Sequence, residues 1–304
     1  MNTKLQTKTL QLTVPYGPRR FSLTGSAADE SVLGAIEKAN GAWEPGVMST
    51  IAHLVKPGDV CLDIGANIGV HALVMSDLVG EGHVYAFEPS STNQSHLLQN
   101  IRDNAATNIT PLNFGLSNLT ESRTFHYLPR FPGCSFATRE ATGKGVQHMI
   151  ERAWGIPLVS ETETVQFTTL DEWVASNNIR RLDFIKMDVE GFERFVIEGG
   201  RTTLRKFGPR LITEFNKKSL TFYSSVSPES YYQALTRIYP YIYEIPEAGE
   251  LRRVDSFSSL RRLLEAPRFW ADLLCSRLAI DDTYVAPFSE TLLHRMGRVF
   301  RRLR

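Results

Sequence analysis

Four short clusters in this 304-residue sequence carry residue types that chemistry needs. The first is Asp63-Ile64-Gly65-Ala66-Asn67-Ile68-Gly69, directly after the apolar run Val60-Cys61-Leu62. Glycines there let the backbone turn sharply and approach a ligand closely. A nicotinamide dinucleotide fingerprint would read GxGxxG, its middle glycine lying against a pyrophosphate. Here the spacing is GxxxG, and Asn67 holds the middle position. The loop therefore disfavours a dinucleotide. It suits a nucleoside with an amino-acid end and no phosphate, such as S-adenosylmethionine. The second cluster is Glu88, which ends the run His83-Val84-Tyr85-Ala86-Phe87. An acidic residue about 20 positions beyond a glycine loop accepts hydrogen bonds from ribose hydroxyls. The third is Lys186-Met187-Asp188-Val189-Glu190-Gly191. Alternation along a strand puts Lys186 and Asp188 on one face, where charges are costly unless paired or used. The fourth is Glu214 with Asn216. With Asp188 they offer oxygens of the kind Mg²⁺ takes, but the preferred reading is hydrogen bonding to a substrate, with no metal. His71, just past the glycine loop, reads as a packing residue rather than a base.

These clusters need a scaffold that gathers them. Residues 8 to 24 alternate around Tyr16-Gly17-Pro18 and predict a β-hairpin, and Asp29 to Leu54 predicts helices broken at Gly41 and Pro45-Gly46. From residue 60 the pattern is strand, helix, strand, helix, strand: Val60–Ile64, Gly69–Val79, His83–Phe87, Ser91–Ala106 and Ile109–Phe114. That rhythm predicts a parallel sheet. It breaks over 117–168, read as an insertion with one helix near Val146–Trp154. It resumes with a helix at Leu170–Asn177, a strand at Leu182–Val189, a helix at Phe192–Phe207, a strand at Arg210–Phe215, a helix at Pro228–Tyr239 and strands near Tyr241–Ile245 and Leu251–Val254. Ligands of open α/β sheets sit outside the carboxyl ends of the strands, where all four clusters fall.

Composition narrows the function classes. Lys and Arg total 34 against 33 Asp and Glu, a formal net charge of +1. No global field draws in nucleic acid. The charge is uneven, since Glu250 to Arg304 holds 11 Arg and no Lys against 7 acidic residues, a local +4. At its end, Leu292, Met296, Val299, Phe300 and Leu303 share one helical face among arginines. This helix reads as docked on the core, with contact to a membrane or anionic partner as the sharper alternative. Cys61, Cys134 and Cys275 are too few and too far apart for a disulfide framework or zinc ribbon. The amino terminus lacks a signal-peptide core, and no apolar run approaches the ~18 residues that cross a bilayer. The expectation is a soluble cytoplasmic protein with a small-molecule or glycan substrate.

The four clusters in this order resemble the FkbM family of S-adenosylmethionine-dependent methyltransferases. The resemblance rests on Pro57-Gly58-Asp59, Leu62 to Gly69, Ala86-Phe87-Glu88-Pro89, Thr169-Leu170-Asp171, Ile185 to Gly191, Glu193, Gly199-Gly200, Pro209 and Glu214. It spans roughly residues 40 to 245. It implies an α/β class I methyltransferase fold, with a seven-stranded, mostly parallel sheet, an antiparallel final hairpin and helices on both faces. It also implies that Asp63, Gly65, Asn67 and Gly69 line the methionine end of the cofactor, that Glu88 binds its ribose, and that Asn113 to Ser117, with Gly115 at the centre, lies near the adenine. Asp188 and Glu190 then sit beside the transferable methyl group.

The domain reading that follows is an N-terminal flap over 1–44, a catalytic domain over 45–255 whose 117–168 insertion faces the substrate, and an Arg-rich extension over 256–304. The expected reaction is O-methylation of a sugar, glycolipid or polyketide-like hydroxyl. Asp188 is the candidate base, Lys186 or Glu190 tunes it, and Glu214 orients the substrate. N-methylation of an amine and a non-catalytic nucleoside-binding role remain as alternatives.

Overall fold

The structure is a computed structural model that describes residues 6–138, 160–248, 250–265 and 267–280. The chain opens with a hairpin of β1 (Thr7–Thr13) and β2 (Arg20–Ser26), then α1 (Leu33–Lys38) and α2 (Pro45–Leu54). β3 (Val60–Ile64), α3 (Val70–Val79), β4 (His83–Phe87), α4 (Ser91–Asp103) and β5 (Ile109–Leu112) alternate as the pattern predicts. Four strands follow: β6 (Gly115–Ser117), β7 (Glu121–Tyr127), β8 (Phe136–Thr138) and β9 (Glu161–Thr169). Then come α5 (Leu170–Ser176), β10 (Phe184–Met187), α6 (Glu193–Gly199), α7 (Arg201–Phe207) and β11 (Arg210–Asn216). The described chain closes with α8 (Lys217–Phe222), α9 (Pro228–Thr236), β12 (Tyr241–Ile245), β13 (Arg252–Arg253), α10 (Phe257–Leu263) and β14 (Trp270–Ser276).

The central sheet runs β13-β12-β14-β11-β10-β3-β4-β5. The five strands from β11 to β5 are parallel, and β14, β12 and β13 add antiparallel pairings. Among the described residues the sheet therefore has eight strands rather than the expected seven, because the two-residue β13 extends the edge. β14 lies between β11 and β12, so the sheet does not end near residue 255. Trp270–Ser276 is buried along nearly its whole length but is interrupted by Asp272, so it shows neither clean alternation nor an unbroken apolar run, which is why it escaped the sequence reading. The terminal arginine-rich helix and the Val146–Trp154 helix fall outside the described residues.

The register gathers the site. Ile64 is paired with Met187 on one side and Phe87 on the other, and Met187 with Thr213. The next residue on each strand, Gly65, Asp188, Glu88 and Glu214, therefore stands on one row at the carboxyl rim. Between β3 and β10 the chain changes direction across the sheet, the switch point at which open α/β sheets bind ligands.

Both faces of the sheet are covered. One side buries Leu62, Phe87, Trp173, Phe195 and Tyr231; the other buries Val74, Met75, Leu97 and Ile212. The N-terminal hairpin packs on the second side, where Asn100 of α4 accepts from Thr24 N at 2.7 Å and donates to Thr24 O at 3.0 Å. The insertion contributes a separate sheet in the order β6-β9-β7-β8. The expected helix at 192–207 divides at Gly199-Gly200. A Cβ on Gly199 would stand 2.0 Å from the Ser117 carbonyl, and Asp171 accepts from Thr202 N and Thr203 N to start the second half. No helix among the described residues is long and apolar enough to cross a membrane.

Candidate active site

A narrow cleft of about 60 Å³ runs along the rim between Gly65, Asn67, Glu88, Asn93, Gly115, Phe167 and the 188–190 turn. It shares Gly65, Asn67, Gly133, Asp188 and Glu190 with a wider cavity of about 430 Å³. The cleft is much smaller than a typical small-molecule site of about 300 Å³ or more, and Pro132, Gly133 and Ser135 form one of its walls. That wall is tethered to the N-terminal flap, where Gly133 N donates to Ser31 Oγ at 2.9 Å.

The glycine loop is shaped by its neighbours. Gly65 has φ +86°, and a Cβ there would stand 1.8 Å from the Asp188 carbonyl oxygen. Asn67 adopts the left-handed region at φ 51°, and its N–H donates to Glu88 Oε2 at 2.8 Å. Ser90 N donates to Glu88 Oε1 at 2.9 Å. Burial pushes the Glu88 carboxyl up to about 7, against the pull of these two N–H groups. Ser90 caps α4, its side chain accepting from Asn93 N. Gly69 begins α3 away from the cleft, with Leu97 filling the space beside it. Gly115 lies on the cleft wall, where the Phe167 ring leaves no room for a side chain.

Asp63 and Lys186 stand behind the wall rather than on it. Both are 1% exposed. Burial pushes the Asp63 carboxyl up, against the lowering pull of His71 and Lys186. Burial also works against the Lys186 ammonium, but Asp188, Glu44, Asp272 and Asp63 outweigh it and hold that group above its ordinary range. Its Nζ is 3.4 Å from Asp188 Oδ2.

The 188–190 turn is stiffened by Glu193, which accepts from Val189 N at 3.1 Å and Gly191 N at 3.2 Å. Burial, with Asp188 nearby, raises the Glu193 carboxyl to about 7. This supporting role was hidden in the sequence because it acts through backbone groups. Glu190 takes φ 50° and accepts from Ser219 Oγ at 2.9 Å. Oxygens of Asp188, Glu190 and Glu214 lie within 4.8 Å of one another. Asn216 does not join them as a free oxygen, since its Oδ1 caps α8 by accepting from Lys218 N and Ser219 N.

This arrangement sets the narrow cleft and the wider cavity on either side of the 188–190 turn. The sequence profile of the Methyltransferase FkbM domain matches residues 63–264, most of the chain and all of the rim. The chain belongs to the FkbM methyltransferase family. The hexuronic acid methyltransferase AglP of Haloferax volcanii is 27% identical over 162 residues, 53% of this chain and 58% of that protein. The 2-O-methyltransferase NoeI of Sinorhizobium fredii is 28% identical over 177 residues, 56% of this chain and 68% of that protein. The chain thus spans little more than half of AglP. The crystal structure of methyltransferase FkbM from Methylobacillus flagellatus aligns at 17% identity and TM-score 0.41, covering 72% of this chain and 43% of that one.

The family's cofactor is S-adenosylmethionine, and the rim fits it. Asn67 Oδ1 and Asn93 Oδ1 are buried on the cleft wall without a hydrogen-bond partner among the described residues, as a site built for a polar ligand requires. The loop's close approach at Gly65 leaves the backbone, rather than a side chain, facing that ligand.

Proposed function

We propose that this FkbM-family chain is an S-adenosylmethionine-dependent O-methyltransferase acting on a hydroxyl of a sugar, glycolipid or polyketide-like small molecule. The observation that carries the reading is the junction of cleft and cavity at Asp188 and Glu190. A methyl donor in the cleft and an acceptor in the cavity meet there. The cavity wall combines aromatic faces (Trp43, Phe131, Tyr223, Trp270) with carboxylates (Glu30, Glu214 and the turn). Flat rings and acceptor oxygens suit a hydroxyl-rich molecule, whose C–H faces stack and whose O–H groups donate.

Bound S-adenosylmethionine supplies an electrophilic methyl group. The protein's work is then positioning, which can supply several kcal/mol of the barrier. Asn67 and Asn93 take polar groups of the nucleoside, and Glu88 accepts from its ribose. Asp63, Gly65, Gly69 and Gly115 shape the loop and wall around it. Glu190 and Glu214 accept hydrogen bonds from the acceptor. Lys186 keeps Asp188 in place.

The carboxylate-rich wall also suits an amino sugar, which makes N-methylation the second reading. Incubating the full chain with methyl-labelled cofactor and methyl glycosides of glucose, mannose, galactose and glucosamine, with and without chelator, tests both. Label on oxygen supports the proposal, and label on nitrogen replaces it. No transfer to any of the four, with cofactor bound, removes the sugar-acceptor reading. Loss of transfer on chelation, restored by Mg²⁺, assigns the Asp188–Glu190–Glu214 cluster to a metal.

A further inference from the structure

The acceptor cavity holds a second pair of titratable side chains besides the carboxylate cluster. His71, in the first turn of α3, places Nε2 3.2 Å from Oε2 of Glu44. Both side chains line the cavity that also holds Asp188, Glu190 and Glu214, and both are largely buried there, at 13% and 8% exposed. Glu44 reaches this position through an unfavourable backbone. It sits at φ 35°, ψ 65°, a left-handed conformation for a non-glycine residue, and it directly precedes Pro45. A residue before proline is pushed toward extended conformations. Strain of this kind persists where the surrounding structure over-determines it, and it concentrates at working sites.

We propose that His71, oriented by Glu44, is the proton acceptor for the incoming hydroxyl, in place of Asp188. This rests on the O-methylation reading. Nε2 lies at ion-pair distance from the Glu44 carboxylate, which favours the proton on that nitrogen and leaves the lone pair on Nδ1 to accept. As the acceptor oxygen bonds to the methyl carbon, the carbon–sulfur pair leaves with sulfur. The O–H proton passes to Nδ1, and its bonding pair stays on oxygen. Glu44 stabilises the imidazolium that results and is the positioning residue. Among the rim carboxylates, Asp188 Oδ2 faces the Lys186 ammonium and Glu190 Oε2 accepts from Ser219. Of the charged groups around His71, Glu44 ahead of α2 and Asp63 on β3 interact with it, and Glu30, Asp188, Glu190, Glu214 and Lys218 line the same cavity.

The test uses the full chain with labelled cofactor and whichever methyl glycoside the panel above shows to be methylated on oxygen. His71→Ala lowers kcat by about 10²- to 10⁴-fold, while S-adenosylhomocysteine binding by calorimetry stays within twofold. Added imidazole restores part of the lost rate. The acidic limb of the kcat/KM–pH profile disappears in His71→Gln and remains in Asp188→Asn. Glu44→Gln lowers kcat more than it changes KM. Full turnover in His71→Gln, or a limb that vanishes only in Asp188→Asn, overturns the proposal and leaves the methyltransferase reading intact. Label appearing only on nitrogen overturns this proposal together with the O-methylation reading, and label on none of the four glycosides removes the sugar acceptor and this proposal with it.

Discussion

The carbonyl oxygen of Asp188 occupies the space that a side chain on Gly65 would need, 1.8 Å from where its Cβ would lie. Two loops at the ends of neighbouring strands are thus locked in backbone contact, and the cleft forms along that line. Gly65→Ala must relieve this overlap and also adopt φ +86°. The left-handed conformation alone costs about 1–3 kcal/mol. The expected outcome is a melting temperature several degrees lower and no calorimetric signal for S-adenosylmethionine. A variant that melts and binds like the parent would show that the two loops separate without cost.

Lys186 is a buried cation among carboxylates. Lys186→Met leaves Asp63 and Asp188 without it, and removing one partner of a buried pair costs about 3–5 kcal/mol. Asp188→Asn in the same background should recover part of that loss, because the exposed end of the pair no longer needs a counter-charge. Denaturant midpoints of the single and double variants check this. Equal stabilities would mean that solvent, not Lys186, balances Asp188.

Glu88 titrates in a useful range. Its carboxyl is near 4.5 in an unfolded chain and about 7 in the folded protein. Between those values the folded protein holds a proton that the unfolded chain has lost. Its contribution to stability is therefore complete below about pH 4.5 and lost as pH rises through about 7. The difference in melting temperature between the parent and Glu88→Gln should change sign-consistently across that window. Ribose hydroxyls donate to the ionised form, so cofactor binding should release a proton near pH 6.5. Calorimetry in buffers of different ionisation enthalpy measures that release directly; its absence would remove Glu88 from the ribose site.

Much of this site was legible as local pattern. The glycine loop, Glu88 and the Lys186-to-Gly191 run each mark the end of an apolar strand, and residue type with spacing carries that information. What was not legible depends on pairing between distant segments. The insertion becomes a sheet only because Gly115 to Ser117 pairs with Phe167 to Thr169. β14 carries no period, and its place between β11 and β12 is a matter of topology. Glu193 and Asp171 entered the sequence reading only as part of the resemblance, without a role, and are backbone clamps. Glu44 was invisible as a site residue because its importance lies in a backbone angle and in a partner 27 positions away.

The cavity's charge makes the last prediction. Five carboxylates line it, from Glu30, Glu44, Asp188, Glu190 and Glu214, against the single lysine Lys218 and His71. The Lys218 ammonium lies over the Phe269 ring, 4.0 Å from its centroid. An anionic acceptor entering here meets like charge. At about 8 Å and an effective dielectric of about 20, one unbalanced carboxylate costs about 2 kcal/mol. Methyl glucuronide should therefore show a kcat/KM roughly 10- to 100-fold below that of methyl glucoside, and Glu214→Gln should narrow the gap by raising the glucuronide value. AglP is named for a hexuronic acid, so the two proteins would differ in acceptor charge while sharing a family. Equal kcat/KM for the two glycosides would show that Lys218, or the acceptor's own orientation, keeps its carboxylate clear of the wall.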